Sequence, residues 1–464
     1  MCTLLHRTLI VGALVWVAGC SQSSRPAEEG PAGRAAEAKG GLRVGAAATE
    51  LIADDSMVIG GGIGPGKVAG QEGKLRAVAI VMEKPGAGKV AVVACDVLAL
   101  TRDLLDPVTV EIARLSGIPA ECVLISATHT HHAPTTVTVH GYQREEGFCR
   151  QVQQRIVQAV QEAHARLPVD ANDRLHFWLG EESSVGQNSR LLLRDNTIYW
   201  VGPREDAVRP TGPFDPELPV LVFRDAEGRP KAVVFNHSTH TIGSRKGGRS
   251  PAFYGLAAQE LEAELGGTVC FLEGASGSTH NLTVPPDEAA LRIKEAVREA
   301  LQYARHRPVN RLAAIKRPFS YRVRRFDEAK EDAAVTAYCR RRVSQAADEI
   351  IDVFRRQRAI LARHQGEQRT TWVQAIRIGD VAIVGIPGEL FTRLGQQIKR
   401  QSPFRYTCVV ELANDWIGYL PDGRAFEYGG YQVWTGLHSF VEPGTGEAIV
   451  EQALRLLHEL AGQA

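Results

Sequence analysis

The sequence predicts an α/β fold of mixed β-sheets flanked by helices, and three observations carry that prediction. Short apolar runs rich in β-branched residues recur along the chain, and helical patterns lie between most of them. Two neighbouring pairs of runs are joined by turn residues alone, so hairpins accompany the interleaved units and the sheets are not purely parallel.

Taken in order, the first element is an apolar run from Leu9 to Ala18, preceded by His6 and Arg7 and followed by Gly19 and Cys20. It reads as a signal peptide and is too short to span a bilayer as a mature helix. Val17-Ala18-Gly19 before Cys20 resembles a bacterial lipobox, so residues 1–19 are expected to be a lipoprotein signal peptide and Cys20 the lipidated residue. The alternative is an ordinary secretory signal or a short membrane anchor. The expected address is that of an exported, membrane-anchored lipoprotein of the bacterial cell envelope or periplasm, partnered with a membrane through its anchor. Residues 20–41, small, polar and rich in Gly and Pro, read as a flexible tether.

Strands are expected at 74–82 and 89–95, joined by Pro85-Gly86-Ala87-Gly88, then at 121–127, 174–180, 218–224, 231–236 and 268–273. The later ones are 371–378 and 380–386, joined by Gly379-Asp380, and 405–411. Helical patterns fall at 104–116, 147–166, 254–265, 287–305, 389–401 and 445–461, with a long stretch at 327–364 that reads as a helical insertion. No internal repeat and no Pro- or Ser-rich linker follows residue 42, so 42–464 are expected to form one catalytic domain.

With 464 residues and 44% hydrophobic content, the chain is long enough for a large core. Lys plus Arg number 54 against 53 Asp plus Glu, without a long basic run, which excludes the electrostatic footprint of a nucleic-acid binder. Six cysteines beyond Cys20 form no C-x-x-C pair and mostly sit in apolar runs, so they read as buried free thiols rather than a zinc cluster. Gly60-Gly61-Gly62-Ile63-Gly64-Pro65-Gly66 lacks both a preceding strand and a following helix, which makes it a loop and not a dinucleotide fingerprint.

Chemistry concentrates where apolar strands end. Ile125-Ser126-Ala127 runs into Thr128-His129-Thr130-His131-His132, three histidines in four residues. Ala232-Val233-Val234-Phe235 runs into Asn236-His237-Ser238-Thr239-His240. Two such strand ends brought together offer the nitrogen ligands that zinc favours. A third strand gives way to Pro387-Gly388-Glu389, expected in the first turn of a helix, where a glutamate also suits the helix dipole. The segment Asn414-Asp415-Trp416-Ile417-Gly418-Tyr419 through Glu427-Tyr428-Gly429-Gly430-Tyr431 is aromatic and Gly-rich, a loop that packs against something.

These four motifs, in this order over residues 42 to 461, resemble the catalytic domain of the neutral, non-lysosomal ceramidases. The resemblance implies a Zn2+ ion held by His129, His237, Glu389 and Tyr419. It implies that His131 acts on the water or the leaving amine, that Tyr431 holds the developing oxyanion, and that Arg190, or alternatively Arg194, orients the substrate. The implied reaction is hydrolysis of a C–N amide bond in a small-molecule or lipid N-acyl substrate, by water activated at the metal. Ser276 and His280 are expected substrate contacts, with a tight turn as the alternative for both. The sequence departs from the family at Ser189, within Gln187-Asn188-Ser189-Arg190, and at Ser278, where an aspartate is usual. It also ends soon after the last helix, implying a member without the family's C-terminal immunoglobulin-like domain. The rival expectation is a lipid-anchored binding protein whose ceramidase-like site has degenerated around those two serines.

Overall fold

Three four- or five-stranded sheets, each containing one parallel pair, organise the chain; the computed structural model describes residues 41–462. Cys20 and the expected signal peptide lie outside the described residues, as does the tether up to residue 40. The first sheet orders Arg43–Glu50, Arg76–Lys84, Gly88–Cys95 and Val123–Ala127. The second orders Thr268–Glu273, Pro230–His237, Glu217–Arg224, Arg174–Glu181 and Arg305–Arg307. The third orders Leu312–Arg322, Gln368–Ile378, Val381–Gly385 and Tyr406–Val410.

In each sheet the parallel pair is joined through a helix. Gly88–Cys95 and Val123–Ala127 are linked by helix Arg102–Ser116. Pro230–His237 and Thr268–Glu273 are linked by Ala252–Leu265, and Val381–Gly385 and Tyr406–Val410 by Thr392–Gln401. A parallel pair forces such a crossover, because the chain must return to the end it started from. Six strand carboxyl ends are thereby available, and in α/β sheets that is where ligands bind.

The apolar runs are continuous rather than alternating because the strands are covered on both faces. Val90, Val92 and Ala94 face a core shared by all three sheets, together with Phe177, Leu221, Val234, Ile376 and Ile383. The intervening Ala91, Val93 and Cys95 face helices Arg102–Ser116 and Glu146–Ala165. Helices Ala252–Leu265 and Pro286–Tyr303 cover the outside of the second sheet, and Thr392–Gln401 and Thr445–Gly462 that of the third. Cys95, Cys149, Cys270, Cys339 and Cys408 are buried and Cys122 half-buried, all as free thiols. Among the described residues no helix is long and apolar enough to cross a membrane.

Two long strands were not legible in the sequence. Arg43–Glu50 has at its centre Gly45-Ala46-Ala47-Ala48, poor strand formers, and it lies at a sheet edge against helix Glu146–Ala165. A Cβ at Gly45 would stand 1.9 Å from the carbonyl oxygen of Ala163, so the close approach of that helix requires glycine. Leu312–Arg322 carries Pro318 opposite Trp372, which is tolerated because this strand is the outer one of its sheet, where proline is accommodated. The expected 327–364 stretch is two helices, Glu328–Arg342 and Ala347–Leu361, packed on each other.

Candidate metal centre

His129, His131 and His240 bring one nitrogen each to within 4.8 Å of one another, the one such histidine, cysteine or carboxylate group among the described residues. Each arrives from a strand carboxyl end. The chain leaves Val123–Ala127 and turns sharply at His129, whose φ is 61°. Left-handed backbone at a non-glycine residue costs about 1 kcal/mol or more and persists only where surrounding contacts impose it. Here the same turn lets both His129 and His131 aim their Nε2 atoms, 3.4 Å apart, at a common point.

The outer nitrogen of each ring is already occupied. His129 Nδ1 donates to the Leu98 carbonyl at 2.8 Å, and His240 Nδ1 donates to the Ser276 carbonyl at 2.9 Å. His131 Nδ1 faces the Gly61 carbonyl at 3.3 Å. A neutral imidazole carrying its proton on Nδ1 presents only a lone pair at Nε2, so these hydrogen bonds assign the tautomers. Three lone pairs therefore converge.

Glu389 completes the set. Its Oε2 is 3.5 Å from His129 Nε2 and 3.4 Å from His240 Nε2, while its Oε1 accepts from Trp416 Nε1 at 3.0 Å. Tyr419 places its hydroxyl 3.1 Å from His240 Nε2. Glu389 and Tyr419 are register partners in a short parallel ladder, Glu389–Leu390 against Tyr419–Leu420, which sets the two side chains beside each other. The helix begins only at Thr392, so Glu389 is not in its first turn as the sequence suggested.

The electrostatics favour a cation at the centre. Burial opposes charging His129, but the Glu389 carboxylate outweighs it and holds the His129 pKa above its ordinary value. Burial likewise works against ionising Glu389, yet His129 and His240 hold its carboxyl well below the usual range. His131 is pushed well below its ordinary value by burial and then by its neighbours His129 and His240, so it is neutral. Converging lone pairs beside an ionised carboxylate repel one another unless a positive charge lies between them. The donor set, imidazole nitrogens with a carboxylate and a phenol and with every outer atom hydrogen-bonded, fits a divalent metal of the zinc type.

His237, the expected strand-end ligand, is not part of this group. It is fully buried, with Nδ1 2.5 Å from the Tyr254 hydroxyl and Nε2 2.9 Å from the Glu182 carbonyl. Side chains alternate across a strand, so His237 shares the helix-facing side with Val233 and Phe235; His240, beyond the strand, takes the expected position. The sequence held a signal for this, since Thr239-His240-Thr241 repeats the Thr128-His129-Thr130 pattern.

The other expected site residues surround the group without all facing it. Arg190 is 1% exposed and spends its guanidinium on Gln432 Oε1 and the carbonyls of Ala425 and Gly429. It anchors the loop that carries Tyr431; Arg194 is exposed. Ser276 is fully buried and bonded to Glu411, not open to a ligand. His280 stacks on His240 with ring centroids 4.1 Å apart and is half-buried. Ser189 and Ser278 pair with each other, Ser189 N–H donating to the Ser278 carbonyl at 2.9 Å, and the Ser278 hydroxyl bonds Thr392. Tyr431 stands edge-on to Tyr419 at 5.8 Å, its ring held between Trp200 and His438.

The sequence marked Asn414 to Tyr431 as a packing loop, but sequence reasoning missed the role of Glu411 and Leu412 just before it, which tie neighbouring strand ends together. Glu411 accepts from the Ser276 backbone and hydroxyl and from Leu390 N–H. Leu412 accepts from Ala127 N–H and donates to the Gly388 carbonyl, joining the roots of His129 and Glu389. Burial, and then the nearby Glu273, push the Glu411 carboxyl well above the usual range, and burial raises Glu273 to about 8. A charged residue directly after an apolar strand was the available signal.

Comparison with solved structures gives the fold an external match. The chain is similar to the neutral ceramidase from Pseudomonas aeruginosa, with a TM-score of 0.71 and 18% identity, over 91% of this chain and 75% of that one. It is similar also to a ceramidase complexed with C2, with a TM-score of 0.70 and 17% identity over the same shares. No protein-family model and no curated protein sequence matches it. The chain thus has the neutral-ceramidase-like fold that its four motifs implied, together with a buried histidine group suited to a metal.

Proposed function

We propose that this chain is a zinc-dependent amidohydrolase that cleaves an N-acyl, ceramide-like amide. The carrying observation is the convergence of three tautomer-fixed imidazole nitrogens with Glu389 and Tyr419 at the carboxyl ends of parallel strands. His129, His240, Glu389 and Tyr419 would hold the ion, with His131 beside it. A zinc ion in such a site supplies Lewis acidity and lowers the pKa of water to about 7.

The chain's own residues supply the rest. His131 is half-buried, neutral, and has its Nε2 lone pair directed at the centre, so it can take a proton from the attacking water and return it to the leaving nitrogen. The O–H of Tyr431 can donate to the oxygen that gains charge as the amide carbonyl is attacked. Water's oxygen bonds to the acyl carbon, the C–N bond breaks, and a carboxylic acid and an amine leave. Support for the substrate class comes from the fold's likeness to ceramidases.

The test is metal analysis of the purified protein, combined with hydrolysis of fluorogenic N-acyl amides before and after chelation. Stoichiometric zinc, with turnover abolished by the chelator and restored by zinc, is expected. Metal-replete protein that hydrolyses no acyl amide would overturn the reading.

A further inference from the structure

A second group of polar side chains lies behind Tyr431 and is not used by the chemistry above. His140 is buried, at a φ of 52°, with Nε2 2.8 Å from the Tyr431 hydroxyl and Nδ1 3.5 Å from Gln357 Nε2. Gln357 is buried on helix Ala347–Leu361, and its Oε1 accepts from Leu437 N–H at 2.9 Å. That bond fixes the amide, because only its oxygen can face a backbone donor; the reversed amide would set two donors 2.9 Å apart. The Gln357 amino group therefore faces His140 Nδ1, which must be the lone-pair side of the ring. The imidazole proton then sits on Nε2 and is donated to Tyr431 Oη. A phenol that accepts from His140 keeps its own O–H free to point elsewhere.

We infer that Gln357 and His140 are positioning residues that fix the direction of the Tyr431 proton, so that the hydroxyl meets the substrate as a donor. The phenol's placement is fixed independently of its proton. Its ring is stacked by Trp200 at 4.7 Å and by His438 at 4.6 Å, and Arg190 holds the carbonyl of Gly429. Burial, and then His438, hold His140 well below its ordinary pKa, consistent with a neutral ring. The direction of one proton is thus set from helix Ala347–Leu361, which also lays Phe354 edge-on to Tyr431 at 6.3 Å. The inference rests on the reading of Tyr431 as the oxyanion donor.

The test has a spectroscopic and a kinetic arm. In protein labelled with 15N-histidine, His140 is expected as the Nε2–H tautomer, and Gln357→Glu, isosteric but offering an acceptor, is expected to switch it to Nδ1–H. Gln357→Glu and His140→Leu should lower kcat on an N-acyl amide about tenfold or more with KM little changed, toward the 10²–10³ typical of losing an oxyanion donor. His140→Gln, which keeps an N–H at similar reach, should recover most of that loss. In a Tyr431→Phe background Gln357→Glu should add nothing. An Nδ1–H tautomer in the unmodified protein, unchanged kcat in Gln357→Glu, or losses that add to that of Tyr431→Phe would overturn the inference. Failure of the unmodified, zinc-loaded enzyme to hydrolyse any amide would instead sink the proposed function, with the tautomer result standing by itself.

Discussion

His237 and His240 stand three residues apart in one motif, and their fates show what decides a ligand. His237 has both ring nitrogens committed to Tyr254 and Glu182, whereas His240 has one committed to Ser276 and one turned to the centre. His240→Ala is expected to remove most bound metal with little loss of stability. His237→Ala is expected to leave metal content unchanged but to destabilise the fold by about 1–3 kcal/mol, because a buried hydroxyl and a buried carbonyl lose their partner. Metal stoichiometry and denaturant unfolding of the two variants read both outcomes; a metal-free His237→Ala protein that remains folded would contradict the assignment. At this scale His129, His131 and Glu389 were legible as residues at strand ends and Tyr419 only through the family resemblance, and the structure brings all four together. The choice between two histidines of one motif was not, since it depends on which face of the strand the last residue occupies.

Elements determine how rigidly the ligands are held. The segment 411–416 has two left-handed residues, Leu412 at a φ of 55° and Asn414 at 64°, and it bonds to the two strand ends that lead to His129 and Glu389 and to the end of Thr268–Glu273. Asn414 N–H donates to the Ile125 carbonyl, in the strand before His129, and Trp416 Nε1 donates to Glu389. Trp416→Phe keeps an aromatic ring and removes the donor to Glu389 Oε1. Removing such an outer partner typically costs 10–100-fold in metal affinity, and a loss of roughly that size is expected in competition titrations against a chelator. Unchanged affinity would show that Glu389 is oriented by its backbone alone. Most strands and helices were readable from apolar periodicity; the hub was not, because its bonds run to residues nearly 300 positions away, as from Asn414 to Ile125.

Across the whole molecule, burial of polar groups links stability to pH. Asp415 accepts from Thr371, Arg102 and Trp416, yet burial raises its pKa from 3.8 to about 6. The folded protein therefore holds a proton that the unfolded chain releases between pH 4 and 6. The stability this contributes is full below pH 4 and is lost as pH rises through about 6. His438, lowered to about 4 by burial, acts with the opposite sign, so the difference between two proteins is the cleaner measure. Asp415→Asn should gain on the unmodified protein by up to about 3 kcal/mol between pH 4 and pH 7 in chemical unfolding. A pH-independent difference would place the Asp415 pKa near its ordinary value.

The sequence by itself determined the layered α/β plan, the strand ends that carry chemistry and the kind of chemistry those residues suit. Those follow from local physics, because apolar periodicity writes out each element and histidines clustered after a strand are held at its rim. Only the tertiary structure decided that His240 and not His237 meets the centre, that Arg190 and Ser276 serve neighbouring segments, and that a glutamine on a distant helix faces His140. These depend on the packing of three sheets and on which buried donor finds which acceptor, and such long-range pairing leaves no periodic mark along the chain.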